Sequence, residues 1–231
     1  MATTGTEQRA RRSRYLPPSA IQVVPATEAG ITNGLSVQVS NLYLAGDRSL
    51  LGQTAVAIVG SRKASPDGLR RAAKLARALV ERDVVVMSGL AEGIDQAAHH
   101  AAIEAGGRTI AVIGTPLDRA YPAAHAALQQ EIYERHLLVS PFVPAERTFA
   151  SSFPLRNRVM ARLSRATVIV EAGDTSGSLH QAVECLKVGR ALFIAKSVIE
   201  GKSATWPERF LGKPGVYVLE RIEDLVAEIS G

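Results

Sequence analysis

The residues best suited to chemistry lie in four short glycine- and serine-rich turns: Gly60-Ser61, Ser88-Gly89, Gly114-Thr115 and Ser176-Gly177-Ser178. Each follows a β-branched apolar run, and a helical pattern comes soon after. Turns of this kind hold phosphate. Small residues let backbone N–H groups approach an anion, and the following helix adds its unpaired N-terminal donors and the positive end of its dipole. A ligand that carries phosphates is therefore expected. The first turn runs on into Arg62 and Lys63, which place two cations beyond the glycine. It is neither the dinucleotide fingerprint, which needs two further glycines at set spacing, nor a Walker A loop, which needs Gly-Lys-Ser/Thr. The turn at 176–178 supplies hydroxyls as well as backbone donors and is the best anion cradle of the set.

Residues 147–165 carry five arginines (Arg147, Arg156, Arg158, Arg162, Arg165) and no Asp or Glu, with Phe149 and Phe153 interleaved. Solvated helix faces usually mix signs, because like charges at helical spacing repel. An acid-free stretch of this kind points to an anion-binding role. The overall charge of +5 says less, since Arg9, Arg11, Arg12 and Arg14 against Glu7 give the first 14 residues a net of +3 and leave the rest nearly neutral. Clustering, not the total, carries the inference. Asp95 and His99 lie one helical turn apart and could form an acid/base or metal pair, although an Asp at a helix start is favoured as a cap. His100, His125 and His136 show no metal-ligand spacing, so neither a metal nor a cofactor is expected. Cys185, the single cysteine, sits in a helical pattern beside Leu179, Ala182, Val183 and Leu186 and reads as a packed thiol. With no disulfide, no membrane-length apolar stretch and no signal-type core, a cytoplasmic protein without a membrane partner is expected.

The elements that must position these turns form a regular series. At 231 residues and 46% hydrophobic, the chain can bury one α/β core. Residues 1–20 read as a disordered basic arm, 21–53 as a short extension packed on the core, punctuated by Pro25, Gly30, Gly34 and Gly46, and 54–231 as one Rossmann-like domain. Runs at 55–59, 84–87, 109–113, 137–139, 167–170, 191–194 and 216–219 are apolar without alternation, which marks strands buried on both faces. Helical patterns separate them, so right-handed crossovers and a parallel sheet follow. One such pattern puts Leu69, Ala72, Ala73, Ala76, Leu79 and Val80 on a single face, and Gly189 is placed to end another as a left-handed cap. The expected fold is α/β: an extended Rossmann-like three-layer sandwich with a mostly parallel sheet, its turns gathered at the strands' carboxyl ends.

Taken in order, Val-Ala-Ile-Val-Gly-Ser-Arg at 56–62, Ser-Gly-Leu-Ala-x-Gly-Ile-Asp at 88–95, Leu-Asp-x-x-Tyr-Pro at 117–122, Phe-Pro-x-Arg-Asn-Arg at 153–158, Val-Glu-Ala then Ser-Gly-Ser-Leu at 170–179 and Gly-Arg at 189–190 resemble the DprA/Smf family of DNA-processing proteins. The resemblance implies a Rossmann-like domain of the SLOG superfamily, without the winged-helix domain of some members. It implies a non-catalytic homodimer that binds single-stranded DNA in a basic pocket and loads RecA in natural transformation. By position, Arg62, Arg156 and Arg158 would meet phosphates beside Lys63, Phe153 would stack on a base, and Asn157 would fix the loop. The phosphate-binding turns would be Gly60, Ser61, Ser88, Gly89, Gly114, Ser176, Gly177 and Ser178. Three departures stand out: Ala123 where a basic residue usually follows Tyr-Pro, Gln181-Ala182 for Thr-Ala, and Lys196-Ser197 for Pro-Gly. Two alternatives use the same cradle. A nucleotide phosphoribohydrolase of the LOG type needs a glutamate close behind its glycine turn, and here Glu184 comes a helical turn late. A nucleotide-sensing module would have little use for the arginine stretch.

Overall fold

A computed structural model describes residues 15–32, 39–201 and 204–230. Among these, nine strands appear: β1 (Gln22–Pro25), β2 (Asn41–Gly46), β3 (Ala55–Gly60), β4 (Val85–Ser88), β5 (Thr109–Val112), β6 (Leu137–Ser140), β7 (Ala166–Glu171), β8 (Ala191–Ala195) and β9 (Val216–Leu219). The helices are α1 (Pro66–Val80), α2 (Ile94–Glu104), α3 (Ala126–Arg135), α4 (Ser152–Leu163), α5 (Ser178–Lys187), the short α6 (Lys196–Glu200) and α7 (Ile222–Ser230). The strands make one sheet in the order β1-β2-β6-β5-β4-β3-β7-β8-β9. From β6 to β9 every neighbouring pair is parallel, as the unalternated apolar runs require.

Successive residues of the central strands serve opposite faces. Val56 and Ile58 of β3 pack with Ala72, Leu75, Ala76 and Leu79 of α1 and with Ile94, Ala98 and Ala102 of α2. Ala57 and Val59 turn the other way, into a core shared with Val159 and Met160 of α4 and Ala182 and Cys185 of α5. Each fully buried Val, Leu or Ile contributes about 1.5–3 kcal/mol, so the two apolar layers fix which helices lie on which face. Local signals set the ends. Ser65 caps α1 by accepting from the Gly68 N–H at 3.0 Å, with Pro66 in the first turn, and Gly189 follows α5 with φ of 68°.

The segment 21–53, expected as a short extension packed on the core, forms two strands. β1 pairs antiparallel with β2, and β2 antiparallel with β6, so the extension continues the sheet. In β2, Leu42 and Leu44 enter one core while Tyr43 and Ala45 face another, a true strand alternation set among turn residues. The pairing covers an edge of β6 that would otherwise present unpaired backbone groups. Residues 1–14 of the expected arm lie outside the described residues. At its end Tyr15 is fixed: its hydroxyl donates to the Leu117 carbonyl at 2.7 Å and accepts from Gln129 at 2.8 Å.

The topology places the site. The chain steps outward from β3 to β6, then returns through α4 to β7 on the other side of β3. The loops leaving β3 and β7 therefore diverge to opposite faces and open a crevice between them, the place where open α/β sheets bind ligands.

Candidate nucleic-acid interface

A groove of about 500 Å³ occupies that crevice. The β3–α1 loop supplies Gly60, Ser61, Arg62 and Lys63, the β7–α5 loop supplies Thr175, Ser176, Gly177 and Ser178, and the first turns of α4 supply Phe153, Arg156 and Asn157. Beside it lies a slot of about 80 Å³, lined by Gly89, Leu90, Gly114 and Tyr121, which shares Arg62, Phe153 and Arg156 with the groove. Helical spacing explains the α4 set: positions three and four apart lie on one face, so Phe153, Arg156 and Asn157 point together into the crevice.

Two glycines admit those side chains. The Phe153 ring lies over Gly114 and the Arg156 guanidinium over Gly89, and a Cβ at either position would overlap its neighbour. The Arg62 guanidinium stands 5.8 Å from the Phe153 ring centre, and the exposed Tyr121 ring lies 5.4 Å from it, centre to centre. Arg156 is 6% exposed. Its Nη1 donates to the Val112 carbonyl at 2.8 Å, and its Nε has no partner among the described residues. Burial pushes the guanidinium below its usual pKa, while the Asp95 charge opposes that shift. Asp95 is pushed above the usual carboxylate range by burial, opposed first by Arg156. One oxygen of Asp95 accepts from the Gly89 and Ala91 N–H groups at 3.2 and 3.3 Å, so this carboxylate pins the second turn.

The turns divide between binding and bracing. Ser61 spends its N–H on the Glu171 carbonyl at 2.7 Å, and its hydroxyl accepts from the Lys63 N–H. The hydroxyls of Ser176 and Ser178 lie 2.6 Å apart at the start of α5, and Asn157 donates to the Gly177 carbonyl at 3.3 Å. Ser88 lies elsewhere: it is fully buried and its hydroxyl donates to the Ile58 carbonyl at 2.6 Å, a bond between neighbouring strands. Nor does the arginine stretch act as a unit. Of its five members Arg156 alone lines the groove; Arg147 stacks on Phe149, Arg158 and Arg162 turn toward Glu184 on α5, and Arg165 lies at the amino end of β7. Residues 156 and 158 sit about 200° apart around a helix, so both cannot face one groove.

A family model described as DNA recombination-mediator protein A matches residues 31–230. The chain belongs to this family. It is 44% identical over 163 residues to DNA processing protein DprA of Streptococcus pneumoniae, covering 70% of this chain and 57% of that protein. Protein Smf of Escherichia coli is 36% identical over 190 residues, 82% of this chain and 50% of that protein. The chain thus spans about half the length of these curated relatives. An X-ray structure of the S. pneumoniae DprA superposes with a TM-score of 0.80 at 35% identity, covering 91% of this chain and 75% of that one. The Helicobacter pylori DprA structure, described for a single-stranded DNA binding mode of that protein, gives 0.77 at 26% identity and covers 91% and 95%. The molybdenum cofactor carrier protein of Chlamydomonas reinhardtii, at 17% identity and a TM-score of 0.53 over 77% of this chain and 96% of that one, shares the fold alone.

In this member of the DprA family, the C-terminal segment braces the groove in a way the sequence motifs do not reveal. Trp206 is fully buried, and its Nε1 donates to the Ala172 carbonyl at 2.8 Å. One Asp174 oxygen accepts from the N–H groups of Thr205 and Trp206 at 2.9 and 2.7 Å. The β7–α5 loop is thereby tied down from behind. Glu171 ties the opposite wall, accepting from the Ser65 N–H at 2.7 Å and the Ser65 hydroxyl at 2.5 Å. Gln181, the departure from the family's Thr, fills the base of the groove; oriented by its neighbours, its amide donates to the Asn157 carbonyl and accepts from the Ala161 N–H and Thr167 hydroxyl. Tyr121 was visible within Leu-Asp-x-x-Tyr-Pro, but nothing in its spacing foretold contact with Phe153. Cys185 is buried and its thiol is pushed up to about 11 by burial, as a packed residue should be. Among the described residues no cluster of His, Cys, Asp or Glu could hold a metal, and no helix is long and apolar enough to cross a membrane.

Proposed function

We propose that the groove binds single-stranded DNA, with phosphates along Arg62, Lys63, Arg156 and the 176–178 turn, and a base stacked on Phe153. One juxtaposition carries this reading: a half-buried ring with an exposed guanidinium 5.8 Å and a second ring 5.4 Å from its centre, beside a buried guanidinium whose Nε has no partner among the described residues. Single strands are held in this manner, by a basic track that follows the backbone and aromatic faces that accept bases. On this reading the base stacked on Phe153 is unpaired and lies toward the slot of about 80 Å³ beside it. The binding mode named for the H. pylori relative supports the same reading.

The protein acts by holding its ligand, without chemistry of its own. Asp95 is the one carboxylate among the residues lining the groove, and its oxygen is engaged by two backbone donors; Glu92 lines the slot, and Glu184 lies among cations on the outer face of α5. On this reading the protein acts as a recombination mediator, a homodimer that passes the bound strand to RecA. The test is a titration with short single strands, matched duplex and free nucleotides across a salt series. About three to four phosphate contacts give a slope of roughly −2 to −3 in log K against log salt, and Arg62→Ala or Lys63→Ala each lowers it by about 0.7. Equal affinity for duplex, a slope near zero, or tighter binding of a free nucleotide would overturn the reading.

A further inference from the structure

The basic surface does not end at the groove. α4 and α5 lie side by side, their first turns lining the groove and their last turns meeting at the opposite, amino edge of the sheet. Between these ends stand Arg158 and Arg162 on α4, then Lys187 at the end of α5 and Arg190 just beyond it. The acid paired with them among the described residues is Glu184, 12% exposed, whose oxygens lie 3.8 Å from Arg158 Nε, 3.8 Å from Arg162 Nη1 and 3.0 Å from Lys187 Nζ. Arg162, Lys187 and Arg190 then rim a hollow of about 400 Å³. Glu184 thus faces three of these cations, and Arg190 stands beyond them at the rim. Like charges four residues apart on a helix repel by a few tenths of a kcal/mol, and a face that merely met water would relieve this with intervening acids.

We propose that a DNA strand seated in the groove continues along the α4–α5 ridge, its phosphates meeting Lys187 and Arg190 at the far end. This rests on the single-stranded DNA reading of the groove. Twelve residues of α4 give the ridge a length of roughly 18 Å, enough for several backbone phosphates. No aromatic ring lies among these cations, so the ridge reads charge and not base. It adds affinity for long strands alone, equally for all sequences, and that addition is lost in salt.

The experiment compares an oligothymidylate of about 6 nucleotides, sized for a single binding module, with one of about 20. In the Lys187→Gln/Arg190→Gln variant, whose positions do not line the groove, the short probe binds as before. The long probe weakens roughly tenfold at physiological salt, and its slope becomes shallower by about 1.4. Glu184→Gln removes the recessed charge and shifts affinity the opposite way, tightening the long probe alone. An unchanged slope for the long probe in the double variant overturns the ridge, as does an equal loss for both lengths. Failure of the short probe to bind the unaltered protein overturns the groove reading instead.

Discussion

Replacing Phe153 with Ala separates stacking from charge. Base–aromatic stacking contributes about 1–3 kcal/mol per base, which is roughly a 5- to 150-fold loss of affinity for single-stranded DNA. The ring also faces Arg62 at 5.8 Å, an exposed cation–π contact worth about 0.5–1 kcal/mol, so part of the loss could come from a freed guanidinium. Salt dependence distinguishes the two. Stacking involves no phosphate, so if it dominates, the slope of log K against log salt stays within about 0.7 of the parent value while affinity falls at every salt concentration. Phe153→Leu refines the result, because leucine retains apolar volume over Gly114 but has no π face. It should bind as poorly as the alanine variant while melting close to the parent temperature. Fluorescence anisotropy with a labelled oligothymidylate measures all three proteins. Parental affinity in Phe153→Ala, or a slope reduced by a full phosphate contact, would refute the stacking assignment.

Trp206→Phe keeps most of the apolar packing but leaves the buried Ala172 carbonyl unpaired, so a loss of about 1–3 kcal/mol is expected in urea denaturation; parental stability would show that the indole bond does not brace the loop. Gly89→Ala forces the Arg156 guanidinium off its seat and should cost the charged bond to Val112, about 1.5–3 kcal/mol, together with DNA affinity, both readable in one preparation. His99 is fully buried against Thr109, and burial pushes it down to about 3. Its folded pKa lies below the unfolded value of about 6.5, so stability is full above pH 6.5 and declines as pH falls toward 3, by about 2 kcal/mol at pH 5. In His99→Gln that part of the acid limb should flatten, and an identical pH profile would exclude His99 as its source.

The sheet was legible because each parallel strand is an unbroken apolar run bounded by small residues, a pattern that buried β3, β4 and β7 can hardly avoid. β1 and β2 were hidden because Pro25, Gly30 and Gly46 lie close around them, and their alternation spans only a few residues. The groove's turns were readable as turns, yet Ser88 shows the limit of composition: as the last residue of β4 it bonds to its neighbour strand, not to solvent. The arginine stretch misled for a related reason. Counting charges over 147–165 ignores the 100° step of a helix, which sends Arg156 inward with Phe153 and Asn157 and sends Arg158 and Arg162 together to the outer face. The brace from Trp206 and Asp174 joins residues about thirty apart and follows from no local spacing.

Tyr15 bears on where an incoming polyanion first feels this protein. Its hydroxyl is fastened to the Leu117 carbonyl, and the same loop carries Tyr121 four residues later. Whatever conformation the preceding fourteen residues adopt, they depart from that point, and Arg9, Arg11, Arg12 and Arg14 are confined within a tether of at most about 3.5 Å per residue. More than half of the chain's net charge, +3 of +5, therefore joins the fold through Tyr15, and long-range attraction by those arginines can set the speed of capture while adding nothing to the packed core.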